Sequence, residues 1–238
     1  MNEAKTLELL QSEAARVRMT ELYGAGHVDE NISRYEELVK KFQENFGEKD
    51  ILMFSSPGRT EISGNHTDHN HGKVLAGSIN LDCVGIAAKN DSSKVNIISE
   101  TFNQKFTIDL NELQPSAKKA GTIDLVKGLL KGFQQSGYEV GGFDAYITSN
   151  VISSAGVSSS ASFEMLLCSM LNRFFNDGRM STVAYAHIGK YAENVYWDKA
   201  SGLLDQMACA VGGLITIDFL EPAEPKVEQI DFDFASQN

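Results

Sequence analysis

Cysteine is scarce in this chain of 238 residues, and lysine is missing altogether from positions 132–189. Both shortages narrow what the protein can be. Cys83, Cys168 and Cys209 are odd in number, far apart and set among apolar neighbours, which suits reduced core thiols rather than disulfides or a zinc site. Basic residues are outnumbered 21 to 32, and the net charge of -11 argues against nucleic acid or an anionic membrane as partner. No run approaches the ~18 apolar residues of a membrane span. The opening MNEAKTLELL lacks the basic start and apolar centre of a signal peptide. With only four prolines and 42% hydrophobic residues, the composition is that of a globular core, one large domain or two small ones, and the expected location is cytoplasmic.

What is present reads as helices first, then strands, then helices again. Residues 1–30 have helical spacing, with Leu7, Leu10, Ala14, Val17 and Leu22 turned inward. Ser33 and Glu36 form a capping box for a second helix whose buried face is Tyr35, Leu38, Val39, Phe42 and Phe46, with Gly47 as its stop. Strand patterns follow at 51–56, 74–89, 95–101 and 105–110. The spacing then predicts a helix over 122–135, a strand over 142–151, helices over 163–174, 182–196 and 203–210, and a strand over 213–219. The pattern is α+β.

Two polar stretches interrupt it. In NVISSAGVSSSASF, residues 150–163, a strand gives way to small residues and then to a helix carrying Phe163, Leu166, Leu167, Met170, Leu171 and Phe174 on one stripe. Gly156 permits a tight turn, and Ser158, Ser159 and Ser160 offer amides and hydroxyls at a positive helix end, where phosphate binds. The lysine gap rules out a P-loop. The other reading is that the serines only cap a core helix.

The second stretch, PGRTEISGNHTDHNHG at 57–72, is too rich in His, Asp and Asn for a simple turn. His66, Asp68, His69 and His71 have the content of a dinuclear metal centre, though not its order. Arg59, Asp68 and His66 equally suit hydrogen bonding to the hydroxyls of a polyol. A solvated loop is the third reading.

GRTEISGNHTDHNHGKVL resembles the galactokinase signature GRxNLIGEHTDYNGGxVL, and SSAGVSSSAS resembles the second motif of the GHMP kinases, PxGxGLSSSAx. GLLDQ at 202–206 is similar to that family's GxxDQ, and the three stand in the family's order. The resemblance covers about residues 33–219. It implies a GHMP-kinase N-terminal domain, a mixed sheet with packed helices, over 33–221. Residues 1–32 would be a helical extension, and 222–238 a connector toward a C-terminal domain of the same polypeptide.

Carried over by position, the resemblance implies that Arg59, Asn65, His66, Asp68, Gly202 and Asp205 line a sugar site, with Arg59 and Asp205 catalytic. It implies that Ser154, Ala155, Gly156, Val157, Ser158, Ser159, Ser160 and Ala161 hold the phosphates of ATP. Ser160 and Glu193 would hold Mg2+. The implied activity is phosphorylation of a monosaccharide, galactose first, at its anomeric hydroxyl. An arabinose, uronic acid or amino-sugar kinase, or a sugar sensor without turnover, are the alternatives. Among the departures from the signature, family Asn, Glu and Tyr become Glu61, Asn65 and His69, and in the phosphate loop Ile152 and Ser154 replace Pro and Gly.

Overall fold

Helix formation starts from two separate side-chain caps. Asn2 accepts from the Lys5 N–H at 3.1 Å and Ser12 from the Ala15 N–H at 3.2 Å, so the first segment breaks into α1 (Glu3–Leu10) and α2 (Glu13–Tyr23). The break turns the second helix about its axis: Met19 and Tyr23 go inward, while Val17 is 51% exposed and Leu22 39% exposed, against the single-stripe expectation. The next helix, α3 (Val28–Phe46), begins five residues before Ser33. Its apolar spacing reaches back through Ile32 to Val28, and this longer stripe overrides the capping box.

The computed structural model describes residues 1–117, 121–153 and 155–232. The chain divides into two compact units. The first takes in residues 1–55, 84–112 and 141–149. Its sheet is mixed: β3 (Lys94–Ser99) runs antiparallel to β4 (Gln104–Asp109) and parallel to β5 (Phe143–Ser149), with Ile97 facing Phe106 on one side and Ala145 on the other. Leu10, Tyr23, Ile32, Phe42, Ile86 and Tyr146 meet in its core. Each large side chain buried there contributes about 1.5–3 kcal/mol before entropy is counted.

The second unit takes in residues 56–83, 113–140 and those from Asn150 onward. It contains most of β1 (Leu52–Ser63) and the first part of β2 (Lys73–Lys89). Strand β6 (Leu214–Asp218) pairs antiparallel with β2 on one side and with β7 (Lys226–Ile230) on the other. The sequence pattern ends β1 at Ser56 and reads 226–230 as connector, and the structure extends both. The two segments are polar, and their strand character comes from pairing rather than from apolar alternation.

Four helices complete this unit: α4 (Thr122–Gln135), α5 (Ser159–Phe175), α6 (Thr182–Tyr191) and α7 (Leu204–Val211). Helix α5 packs against the other three and has twelve buried residues, so its N-terminus is held in place. After α6 the chain continues for one π-helical turn, Ala192–Tyr196, which turns Glu193 into the interior, where it is 1% exposed. Among the described residues no helix is long and apolar enough to cross a membrane.

Candidate active site

Strand β1 carries Arg59 alongside the turn that precedes α5. The Arg59 N–H donates to Val157 O at 3.2 Å, and a methyl on Gly58 would lie 2.8 Å from the same oxygen. Only glycine lets the strand come this close. The guanidinium is buried, and it spends its donors on two partners: Nη1 on Gly156 O at 2.7 Å, Nε and Nη2 on Asp205 Oδ1 at 3.0 and 2.6 Å. Arg59 thus ties the turn at Gly156 to the first turn of α7. Asp205 is 30% exposed at its side chain, and both arginine contacts fall on one of its oxygens.

The turn itself is open. Ala155 and Gly156 are exposed, and Val157 through Ser160 are half-buried; Ala161 alone is packed away. Gly156 has φ +74°, and Ser158, at the cap of α5, has φ +61°. A left-handed serine costs of order 1 kcal/mol, and such strain gathers at functional sites. The Ser158 Oγ is buried and makes no hydrogen bond among the described residues. The first-turn amides of α5 have no partner within the helix by geometry. Ser154, expected in the same loop, lies outside the described residues.

Ser160 and Glu193 come together: Ser160 Oγ donates to Glu193 Oε1 at 3.0 Å. Lys199 Nζ donates to that same oxygen at 2.6 Å and approaches Ser160 Oγ at 3.4 Å. On the other side Gln206 Nε2 donates to Glu193 Oε2 at 3.0 Å and to Glu164 Oε2 at 3.3 Å. Burial works against the charge on Glu193, but the Lys199 ammonium and the neighbouring hydrogen bonds together outweigh it and hold this carboxyl below the usual range. Burial, and next the charge on Glu193, push Glu164 well above that range.

A cleft of about 250 Å3 opens beside these groups, lined by His66, Asp68, His69, Lys199, Gly202 and Asp205 among others. Asp68 does more than line it. Its Oδ2 accepts from the Leu203 and Leu204 amides at 2.6 and 3.0 Å, capping α7 from across the fold. Burial opposes the charge on Asp68, but these two amides outweigh it and its pKa is lowered. A methyl at Gly202 would collide with the same carboxylate. The pair therefore needs a residue without a side chain at 202.

The histidines do not gather. His66 pairs with Glu61 through its ring at 3.1 Å and through its amide at 2.8 Å, His69 approaches Asp68 at 3.4 Å, and His71 meets the Leu220 carbonyl at 3.0 Å. Among the described residues no three His, Cys, Asp or Glu side chains group as metal ligands. Asn65 is exposed, with φ +55°, and is not among the residues lining the cleft.

The candidates that the motifs single out thus form three groups (Arg59 with Asp205 and Gly156, Ser160 with Glu193, and Asp68 beside Gly202), and Asn65 stands apart from them. The sequence reading gives Lys199, Gln206 and Glu164 no role in this cluster, although Gln206 closes the GLLDQ motif. Glu164 carries a signal, since it is a lone charge in the apolar run FEMLLCSML. Lys199 carries none, because nothing in the spacing ties it to Glu193.

Residues 40–89 match the galactokinase galactose-binding signature, and residues 124–213 match the GHMP kinases N terminal domain. The chain belongs to the GHMP kinase family. Its relatives there are galactokinases: it is 37% identical to that of Clostridium tetani over 176 residues, 74% of this chain and 45% of that one. It is 34% identical to that of Lactococcus lactis over 222 residues, 89% of this chain and 55% of that one. It spans about half the length of the curated relatives it matches. The crystal structure of Lactococcus lactis galactokinase complexed with galactose superposes with a TM-score of 0.75 at 30% identity, over 83% of this chain and 52% of that chain. Methanococcus jannaschii mevalonate kinase, at 18% identity and a TM-score of 0.63, shares the fold.

Proposed function

We propose that this chain carries the sugar- and phosphate-binding half of an ATP-dependent sugar 1-kinase, which transfers the γ-phosphoryl group to the anomeric hydroxyl of galactose. The observation that carries this reading is Arg59, which grips Asp205 with two donors and the turn at Gly156 with a third. One buried cation thereby fixes the distance between the group that meets the sugar and the loop that meets the phosphates. Phosphoryl transfer goes through a loose transition state, so alignment and charge neutralisation supply most of the catalysis.

In this reading the sugar lies in the cleft lined by His66, Asp68, Gly202 and Asp205. Asp205 uses one oxygen for Arg59 and offers the other to the reacting hydroxyl, whose proton it accepts as the phosphoryl group arrives. The turn from Ala155 to Ser160 presents amides and hydroxyls to the polyphosphate at the positive end of α5. Galactose is favoured over other sugars by the matched galactose-binding signature and by the galactose complex among the structural relatives. The partner this reading calls for is a C-terminal domain of the same polypeptide, in keeping with the chain spanning about half the length of its curated relatives, and the place of work is the cytoplasm, where ATP is available.

Ser160 Oγ and Glu193 Oε1, two hard oxygens 3.0 Å apart, fit Mg2+, which keeps several waters and takes one or two protein ligands. When bound, the ion neutralises charge on the phosphate oxygens. The test of the reading is Asp205→Asn. It should leave galactose binding within about twofold and lower turnover by ~100-fold or more, the range for a positioned acid or base. Turnover close to wild type would reduce Asp205 to a structural partner of Arg59.

A further inference from the structure

Lys199 sits on the same two oxygens that the preceding reading gives to the metal. Its Nζ lies 2.6 Å from Glu193 Oε1 and 3.4 Å from Ser160 Oγ, and its backbone N–H donates to Glu193 O at 3.0 Å, so one residue is fastened to Glu193 at both ends. Glu193 is 1% exposed, and a buried carboxylate without a counterion is costly. The lysine meets that need. Yet its own side chain remains 45% exposed and forms one wall of the sugar cleft, with the ammonium 5.5 Å from the centre of the Trp197 ring. A flexible four-carbon stem with an open side can leave its partner without disturbing the backbone.

A divalent ion and an ammonium compete for Glu193 Oε1, because two cations at contact distance on one oxygen repel. We propose that Lys199 is an internal stand-in for the divalent cation: it neutralises Glu193 while no metal is bound, and it gives up that oxygen when the metal arrives. The released ammonium stays tethered at residue 199, between the first turn of α5 and the cleft. An anion brought by the metal, a polyphosphate, is then its nearest counter-charge. Lys199 is in this account a positioning residue that exchanges one anionic partner for another, and the exchange couples metal binding to phosphate binding. The inference rests on the assignment of Ser160 and Glu193 as metal ligands.

The experiment uses the full chain with Mn2+ as the probe and no nucleotide, read by the electron paramagnetic resonance of free Mn2+. Lys199→Met removes the competitor and should tighten Mn2+ binding about fivefold, the effect of deleting one ion pair at contact. Lys199→Arg keeps the competitor and should leave binding at the wild-type level. A second readout on the wild-type chain needs no mutation: acetylation of Lys199 by acetic anhydride, followed by mass spectrometry, should rise about fivefold when saturating Mn2+ is added, because the displaced amine is exposed. Wild-type or weaker Mn2+ affinity in Lys199→Met, or Lys199 labelling that does not rise, overturns the proposal. Glu193→Gln separates the two ideas. If it abolishes Mn2+ binding while Lys199→Met changes nothing, the metal assignment stands and the stand-in fails; if it leaves Mn2+ binding intact, the assignment falls and the stand-in with it.

Discussion

Asp68 shows how one side chain can be committed to structure at a place that sequence reasoning reserves for substrate. Its two accepted hydrogen bonds come from the buried amides of Leu203 and Leu204, so Asp68→Ala leaves both without an acceptor, at a cost of ~1–3 kcal/mol for each unsatisfied group. The pKa of Asp68 is lowered in the folded chain from an ordinary value of 3.8. A depressed folded value means that the carboxylate's contribution is present above pH 3.8 and is lost as pH falls below it through the folded pKa. Denaturant melts of wild type and Asp68→Ala should therefore differ by a constant amount from neutral pH down to that value, and the gap should close at lower pH. A gap independent of pH would show that the ionised form of Asp68 is not what caps α7. Glu61 is a related case. Its place in the signature suggests an exchange of acid and amide with Asn65 at the sugar; in the structure it holds, from the end of β1, the amide and the ring of His66.

At the scale of elements, much of the fold is legible in the sequence because burial imposes periodicity. The spacing bounds helix α4 at Thr122 and Gln135, as found, and strand β6 and helix α7 to within a residue or two. What the sequence does not disclose depends on pairing or on helix irregularity: the extension of β1 to Ser63, strand β7, and the π turn that buries Glu193. That turn is held by close packing. A methyl on Gly128 of α4 would lie 2.9 Å from both Ala192 Cα and Tyr196 Cγ. Gly128→Ala should cost ~1–3 kcal/mol, the penalty for overpacking a filled interface. Because the displaced turn carries Glu193, the variant should also weaken Mn2+ binding. Thermal melts and metal titrations on one preparation check both, and a variant destabilised with metal binding untouched would separate the packing from the site.

For the molecule as a whole, the site is legible to the extent that it rests on short motifs. Arg59 and Ser160 lie in segments whose composition is odd for a core or a turn, Asp205 lies in the short motif GLLDQ, and the fold brings them within reach of one another or of the same loop. Of the groups that tune them, Glu164 shows only as a lone charge in an apolar run and Gln206 only as the last residue of GLLDQ, while Lys199 acts through its contact with Glu193 and leaves no local pattern. The central claim is that this arrangement phosphorylates a sugar on its anomeric oxygen. The direct test is to incubate the complete gene product with ATP and a panel of galactose, glucose, arabinose, galacturonic acid and galactosamine, and to identify the products by phosphorus NMR. A single anomeric phosphate ester formed from galactose, and lost in Asp205→Asn, is the predicted result; phosphate on any other carbon, or no ester from any sugar of the panel, would contradict it.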